Sequence, residues 1–284
     1  MSDRRLWWLF IVPCMLAALA VVMSLAAVFQ YSFREFIPGS LQPGHFTLDN
    51  FYEIGRPLYF QVIVATLWIS LLTAIFCLLL SYPVAYALVR TRHEWLRTLL
   101  VILSITPLFT GEIVRTYAWM LVLGTEGFIN SVLIALGVIS APLQIMYTTF
   151  GVTVALVHFS MPVMIILLAT AISHVNRDYE KAAANLGATP LAVFWRVTVP
   201  LTMPGIVAST VVIFAWTMSA FATPQLIGGG KVMMISNLVY LQGLSSFNFP
   251  IAAVLSLVAF VVAVGSLAVI QPFISRLERR VAQQ

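Results

Sequence analysis

Six long apolar stretches, separated by shorter polar segments, dominate the sequence. Each reaches the length of about 20 residues that a helix needs to cross a bilayer. The pattern predicts an all-α, polytopic membrane protein with six transmembrane helices. The predicted spans are residues 6–29, 62–89, 99–123, 145–173, 205–226 and 250–274. The first span is longer than the roughly 7–15 apolar residues of a signal-peptide core, which favours an uncleaved anchor.

The distribution of basic residues predicts the orientation. Eleven of the Lys and Arg residues lie before the first span, in the second and fourth connecting segments, or after the last span, and only three lie in the other connecting segments. Cytoplasmic loops of membrane proteins carry the excess of Lys and Arg. Both termini are therefore expected in the cytoplasm, and the even number of spans agrees with this.

The composition argues against a soluble enzyme and against a disordered chain. The chain is 61% hydrophobic and only 9% charged, whereas an ordinary soluble domain has roughly 25% charged residues. The net charge of +5 then reflects cytoplasmic loops rather than a nucleic-acid partner. Cys14 and Cys77 lie inside apolar runs and suggest neither a disulfide framework nor a metal site. The sequence has no GxxxxGK[ST] motif, so any ATP must be bound by another chain.

The polar segment 174–203 has the signals of a structured helical hairpin. Asn176 and Asp178 can cap a helix, and the alanine run 182–184 favours one. Gly187 suits the left-handed position after a helix end. Thr189 and a following proline suit the start of a second short helix, over residues 191–199. Physics alone leaves two readings open, a rigid piece that docks on a partner and an amphipathic hairpin on the membrane surface.

The same segment resembles the EAA loop of binding-protein-dependent ABC importer permeases. That pattern is Glu-Ala-Ala, three residues, Gly, nine residues, then Ile-x-Leu-Pro. With its glycine on Gly187, its alanine pair falls on Ala182 and Ala183 and its proline on Pro200. Its glutamate falls on Lys181, with Glu180 one position earlier. This departure bears on any ion pair between that position and the ATPase, but not on docking itself.

The resemblance implies a type I ABC importer permease fold in the bacterial inner membrane. It implies one permease domain over residues 1–284, with a core at 62–274 and a coupling loop at 174–203. In that family the loop seats in a groove of the ATP-binding subunit and transmits its dimerisation to the membrane helices. The residues to which this role carries over are Glu180, Lys181, Ala182, Ala183 and Gly187.

The implied partners are a pair of identical ABC ATPase subunits, a second permease subunit in a heterodimer, a periplasmic substrate-binding protein and the bilayer. ATP and magnesium would belong to the ATPase, and this chain would need no cofactor, no metal and no catalytic residue. The runs Arg115-Thr-Tyr-Ala-Trp119 and Val199-Pro-Leu-Thr-Met-Pro-Gly205 resemble the B-type subunit of spermidine/putrescine permeases. That subfamily also includes importers of opines, phosphonates and amino-acid-like solutes.

Charged and aromatic residues inside the spans are candidates for a substrate path, because intramembrane charges are rare and usually functional. Glu112 and Arg115 share one helix face and can also form a structural ion pair. Tyr117, Trp119 and Trp216 can line the path, although aromatic residues near membrane edges are often interface anchors. Glu126, in a connecting segment, is a candidate acid at the outer mouth for a cationic solute.

Two other classes of function compete with the importer. A secondary transporter or channel would be expected to carry several intramembrane acids or an inverted repeat, whereas Glu112 is the one acid within the predicted spans and no repeat is evident. An intramembrane enzyme would need metal ligands such as HExxH or a nucleophile–base pair at depth, and neither is found in the sequence.

Overall fold

The structure is a computed structural model that describes the backbone of residues 3–40 and 44–282, and the side chains of residues 11–40, 44–266 and 268. The described chain is almost entirely helical, with one isolated antiparallel bridge between Arg34 and Phe46. The helices are α1 Asp3–Ser32, α2 Asp49–Glu53, α3 Pro57–Arg90, α4 Glu94–Ile105, α5 Glu112–Leu123, α6 Phe128–Ala135, α7 Thr149–Ser173, α8 Arg177–Asn185, α9 Pro190–Val193, α10 Val199–Met218, α11 Ala222–Gly228, α12 Ile235–Tyr240 and α13 Phe249–Ala282. A 3₁₀ turn covers Thr106–Phe109, and π-helical turns cover Phe194–Thr198 and Leu241–Ser245.

The predicted number of six spans is confirmed among the described residues. The segments long and apolar enough to cross a membrane are Ile11–Ser32, Pro57–Arg90, Glu112–Ala135, Thr149–Ser173, Pro190–Met218 and Phe249–Ser266. Four of them match the predicted spans closely, and the third and fifth differ from the prediction.

The third span was predicted wrongly as one helix over 99–123. The helix α4 ends at Ile105, and the chain passes through the 3₁₀ turn into extended backbone at Thr110 and Gly111. Glu112 then starts α5, where its carboxylate meets the positive end of the helix. By length and hydropathy the candidate span is Glu112–Ala135, which starts with α5, includes the turn at residues 124–127 and ends with α6.

The fifth span begins earlier and ends earlier than the predicted 205–226. The helical path is continuous from Pro190 through the π-helical turn to Met218, so the predicted second helix of the hairpin, 191–199, is the first part of the span. After Met218 the chain turns and begins α11 at Ala222. Pro224 lies in the first turn of α11, where no backbone N–H is needed.

The described chain separates into two compact units. One contains residues up to Gln61 together with Ile235–Val262, and the other contains Val62–Met234 together with the segment from Ala263 onward. In the first unit, buried Asn50 donates through Nδ2 to the carbonyls of Ser32 and Arg34, at 3.1 and 2.8 Å. These bonds fix the segment that follows α1.

The second unit contains every candidate site residue. Its core packs α3, α5, α7 and α11 together through buried aliphatic side chains. The cluster comprises Ile69, Leu123, Met146, Val152, Ala155, Leu156, Ala220, Ile227 and Met234. The helix α10 lies along α7 so closely that a Cβ atom on Gly205 would overlap the Cβ of Ala171.

Candidate functional site

The polar segment between α7 and α10 forms the predicted hairpin, called here the coupling hairpin (residues 176–200). The side chain of Asn176 caps α8 by accepting a hydrogen bond from the N–H of Asp178 at 2.9 Å. At the other end, Gly187 has a φ of +86°. The N–H of Gly187 donates to the carbonyl of Ala184, and that of Ala188 to the carbonyl of Ala183. This is the Schellman arrangement, which satisfies the last carbonyls of a helix. The predicted helix and glycine turn are confirmed.

The second arm of the coupling hairpin starts at the predicted cap. The Oγ1 of Thr189 accepts a hydrogen bond from the N–H of Ala192 at 3.3 Å, and Pro190 occupies the first helical position. The π-helical turn Phe194–Thr198 then leads directly into α10. The coupling hairpin is thus continuous with the fifth span through helical backbone.

Apolar side chains project from the tip of the coupling hairpin. Leu186 is 89% exposed, Leu191 69% and Tyr179 60%. Tyr179, Ala182 and Leu186 are spaced at i, i+3 and i+7, so they share one face of α8. We call Tyr179, Ala182, Leu186 and Leu191 the hairpin tip. Exposed apolar side chains on a polar segment are typical of a surface that binds another protein.

Lys181, at the glutamate position of the motif, and Glu180, one position earlier, have different surroundings. Lys181 is exposed and pairs with Asp178 at 2.9 Å. The hydrogen bond from the Lys181 ammonium, followed by its positive charge, lowers the pKa of Asp178 below its usual value. Because the folded-state pKa of this carboxyl lies below the unfolded-state pKa, ionised Asp178 stabilises the fold at any pH above the unfolded-state pKa. That stabilisation is lost only as the pH falls through the folded-state pKa, so the pair is insensitive to pH near neutrality.

Glu180 turns inward, away from the surface where an ATPase contact is expected. Its side chain is 15% exposed, and its Oε1 lies 3.0 Å from the Nη2 of Arg90 in α3. The hydroxyl of Thr198 also donates to this oxygen, at 2.9 Å. Arg90 was not predicted as a site residue, because no local sequence pattern indicates a contact between Arg90 and Glu180, which are 90 residues apart.

The interpretation of Glu112 and Arg115 as a structural ion pair is wrong. The ion pairs of the described residues join Arg56 to Glu53, Arg90 to Glu180 and Lys181 to Asp178. The guanidinium of Arg115 lies instead over the ring of Phe159, 4.3 Å from its centroid. Its Nε and Nη1 atoms are buried and have no hydrogen-bond acceptor within the described structure.

Aromatic residues connect Arg115 with two other predicted path residues. The Phe159 ring lies 6.3 Å from that of Trp216, which is 47% exposed. His158, the residue before Phe159 in α7, accepts a hydrogen bond through Nδ1 from the Nε1 of Trp119 at 3.1 Å. These residues form one group on α5, α7 and α10, called the midspan cluster because His158 and Phe159 lie near the middle of α7. Its members are Arg115, Trp119, His158, Phe159 and Trp216. Phe159 was missed because it looks like any other apolar residue of a span.

Three predicted residues lie outside the midspan cluster. Tyr117 is 54% exposed on another side of α5, and Glu126 is exposed in the turn between α5 and α6. Glu112 lies at the first position of α5, one turn before Arg115. The structure thus brings together Arg115, Trp119 and Trp216, whereas Glu126 lies in the turn after α5 and Glu112 lies one turn from Arg115 without forming an ion pair with it.

A cavity of about 350 Å³ adjoins the midspan cluster. Trp119 and His158 form part of its wall, and the rest is mostly aliphatic and aromatic, including Phe76 and Phe150. None of the lining residues is acidic. The cavity thus offers aromatic faces for a cation but no carboxylate.

Comparison with known sequences identifies the family. Residues 77–283 match the family of binding-protein-dependent transport system inner membrane components. The spermidine/putrescine transport system permease protein PotB of Escherichia coli (strain K12) is 36% identical over 217 residues, which cover 76% of this chain and 78% of PotB. The molybdenum transport system permease protein ModB of Mycobacterium bovis is 35% identical over 194 residues, which cover 67% and 70% of the two chains.

Comparison with solved structures identifies the fold. A chain from a bacterial ABC transporter involved in the import of the acidic polysaccharide alginate superposes with a TM-score of 0.79 at 19% identity, over 98% of this chain and 96% of that one. A chain of the MetNI methionine ABC transporter gives a TM-score of 0.57 at 19% identity, over 80% and 99%. The chain therefore belongs to the family of binding-protein-dependent transport system inner membrane components, and it is a multi-pass permease subunit of an ABC importer in the inner membrane.

Proposed function

We propose that this permease subunit imports a polyamine of the spermidine/putrescine class, delivered by a periplasmic binding protein. The observation that supports this cargo is the 36% identity to PotB over 76% of the chain. A second permease subunit completes the pathway as a heterodimer, because six spans alone form a thin conduit. The aromatic side chains of the midspan cluster offer ring faces on which an ammonium group can lie.

The coupling hairpin is the proposed docking site for the ATPase, on the cytoplasmic side of the membrane. Its capped helix and glycine turn form a rigid projection, and the hairpin tip presents Leu186 and Tyr179 to a partner. ATP binding closes the ATPase pair and displaces the two coupling hairpins of the permease pair. The pathway between the two permease subunits then opens outward to receive cargo, and hydrolysis of ATP returns the transporter to its starting state.

Cysteine crosslinking tests the docking. Ala182→Cys places a thiol at the hairpin tip, and crosslinking to a cysteine in the ATPase groove is expected in the assembled complex. Ala184→Cys is the matched control, because it is also an exposed alanine on α8 but lies about 200° around the helix from Ala182. Equal crosslinking of both, or of neither in an intact complex, would contradict docking through the hairpin tip.

A second candidate cargo is favoured by Arg115. The Nε and Nη1 atoms of its guanidinium are buried without an acceptor, which is costly, and a carboxylate or phosphonate is the natural bidentate partner of a guanidinium. An opine, an aminophosphonate or an amino-acid-like solute would supply that group. Glu126 remains the proposed acid of the outer mouth for a polyamine, which has no anionic group to offer Arg115.

Calorimetry on the cognate binding protein separates the two cargo classes. Titration with putrescine and spermidine is expected to give binding, whereas titration with γ-aminobutyrate is not. Binding of γ-aminobutyrate alone would transfer the assignment to the amino-acid-like class without changing the ATP-driven mechanism. The remaining alternative, an ATP-independent secondary transporter or channel, predicts undiminished uptake in proteoliposomes that lack the ATPase.

A further inference from the structure

Glu180 lies at a junction between four helices of the second unit. Glu180 is part of α8, and its Oε1 accepts from the guanidinium of Arg90, which lies in the last turn of α3. The Nε and Nη2 atoms of Arg90 are 3.1 and 3.0 Å from this oxygen. The same oxygen accepts the hydroxyl of Thr198, at the point where α10 begins. Arg90 also donates through Nη2 to the carbonyl of Val175, 3.1 Å away, just after the end of α7. One carboxylate and one guanidinium thus bind the ends of α3, α7 and α10 to α8.

Burial distinguishes this junction from an ordinary surface ion pair. The side chains of Arg90 and Glu180 are 10% and 15% exposed, whereas those of Lys181 and Asp178 are 69% and 71% exposed. Removing one member of a buried pair leaves the other charge without a partner, while an exposed pair contributes little. The interaction of Arg90 with carbonyls at the α7 terminus adds charge–dipole attraction. The junction is accordingly firm, and α8 cannot shift alone without breaking it.

Further contacts extend the connection along α3 and the fifth span. The hydroxyls of Tyr82 and Thr202 lie 2.7 Å apart. The rings of Tyr82 and Tyr86 both meet Phe194 edge-on, at centroid distances of 5.5 and 5.3 Å. Near the junction, Arg177 of α8 donates to the carbonyl of Val89 in α3 at 2.6 Å. The end of α3 is therefore held both to α8 and to the π-helical turn that starts the fifth span.

We propose that Arg90 and Glu180 are positioning residues that lock α8 to the ends of α3, α7 and α10, so that a displacement of the coupling hairpin moves these ends as one body. The inference rests on the proposed docking of the ATPase at the hairpin tip. It assigns Glu180 to transmission within the permease and not to contact with the ATPase. Thr198 supports the same lock through its hydroxyl.

Spin-label distances test the lock without requiring a known cargo. The complete transporter is assembled in nanodiscs with Arg92→Cys and Ala184→Cys, both exposed and the latter on the side of α8 away from the hairpin tip, in a Cys14→Ser background. The distance between the two labels, one after α3 and one on α8, is measured without nucleotide and after trapping with ATP and vanadate. With Arg90 and Glu180 present, the distance is expected to be the same in both states.

Neutralising the junction should uncouple the two labels. In Glu180→Gln and in Arg90→Gln, trapping is expected to shift or broaden the distance, and the double variant should shift no further than either single one. Asp178→Asn, an exposed carboxylate two residues from Glu180, is the matched control and should leave the distance fixed. Thr198→Val removes only the hydroxyl and should give a smaller shift, which keeps the test open if the charge variants fail to fold.

Other outcomes overturn the inference. A distance that stays fixed in Glu180→Gln would show that the ion pair does not hold α8. Loss of the ATPase from Glu180→Gln, with Asp178→Asn unaffected, would make Glu180 a docking contact and leave the proposed docking intact. Failure of the unsubstituted chain to retain the ATPase through the hairpin tip would remove both the proposed docking and the lock.

Discussion

At the scale of single residues, Gly187 shows how one backbone angle shapes the proposed docking surface. Its φ of +86° lies in the left-handed region, and a Cβ atom there would find nothing within 4 Å. The position therefore requires glycine for its conformation and not for space. A side chain would cost about 1–2 kcal/mol of strain, or the turn would change shape and move Leu186 and Leu191 relative to each other.

Gly187→Val is accordingly expected to weaken retention of the ATPase more than it lowers the stability of the permease. Gly137→Val is the matched control, because Gly137 has a φ of +70° with nothing within 4 Å of its Cβ position, in the turn after α6. Both variants should lower the unfolding temperature similarly, and only Gly187→Val should reduce ATPase co-purification. Equal loss of the ATPase in both would show that the turn has no special role in docking.

Asn130 is a second residue whose effect can be stated from its contacts. It is 1% exposed. Its Nδ2 donates to the carbonyls of Gly124 and Leu143, at 3.0 and 2.9 Å, and its Oδ1 accepts from the N–H of Leu143 at 2.8 Å. One side chain thus joins the turn before α6 to the segment before α7.

Asn130→Ala is expected to destabilise the protein by about 2–4 kcal/mol, because it removes three hydrogen bonds and leaves half-buried backbone groups without these partners. The measurement is thermal unfolding in detergent, followed by the fluorescence of the seven tryptophans. Asn185→Ala, at an exposed asparagine on α8, is the control and should change stability little. An unchanged unfolding temperature in Asn130→Ala would mean that water replaces the lost bonds.

Residue-scale prediction succeeded where the signal was local. The caps at Asn176 and Thr189 and the turn at Gly187 follow from the preferences of single residues for particular backbone angles, and the structure confirms all three. The bond between Arg90 and Glu180 joins positions that only tertiary packing brings together, so no sequence pattern announces it. The same holds for Arg115, whose nearest candidate partner in sequence, Glu112, proved not to be its partner in space.

At the scale of helices, the close approach of α7 and α10 depends on one missing methyl group. A Cβ on Gly205 would overlap the Cβ of Ala171, and the main chain of α7 would be 3.6 Å away. Small residues at such crossings let membrane helices pack closely, since lipid supplies little hydrophobic drive for their association. Moving the helices apart would also strain the connection from the coupling hairpin into the fifth span.

Gly205→Ala is expected to destabilise the protein by about 1–3 kcal/mol through overpacking, even though alanine favours a helix. Gly265→Ala is the matched control, because a Cβ at this position in α13 meets nothing within 4 Å. That variant should be neutral or stabilising by up to about 1 kcal/mol. Unfolding temperatures in detergent give the comparison, and a stabilised Gly205→Ala would show that α7 and α10 separate without cost.

Helix-scale prediction was good for number and poor for continuity. Mean hydropathy detects spans because about 20 apolar residues are needed whatever their neighbours are, and all six were found. It does not detect a break inside an apolar run, and the extended backbone at Thr110 and Gly111 lies in such a run. The π-helical turn at Phe194–Thr198 is similarly hidden, because no feature of its residue composition distinguishes a π-helical turn from an α-helical one.

At the scale of the whole molecule, orientation in the membrane decides what the coupling hairpin can do. The helical hairpin binds an ATPase only if it faces the cytoplasm, where ATP is available. The bias of eleven basic residues against three predicts that the hairpin and both termini lie on that side. The turn that contains Glu126 is then expected on the opposite side, where the proposed binding protein would deliver cargo.

Thiol labelling in intact cells checks this orientation, with Cys14→Ser as the background and buried Cys77 retained. A membrane-impermeant maleimide is expected to label Glu126→Cys before permeabilisation and Lys181→Cys only afterwards. Both side chains are exposed, so a difference in labelling reports the side of the membrane and not burial. Labelling of Lys181→Cys in intact cells would place the coupling hairpin outside the cytoplasm. The exposed leucines of the hairpin tip could then not bind an ATPase. The buried Arg90–Glu180 pair would stabilise the fold without transmitting any movement of an ATPase.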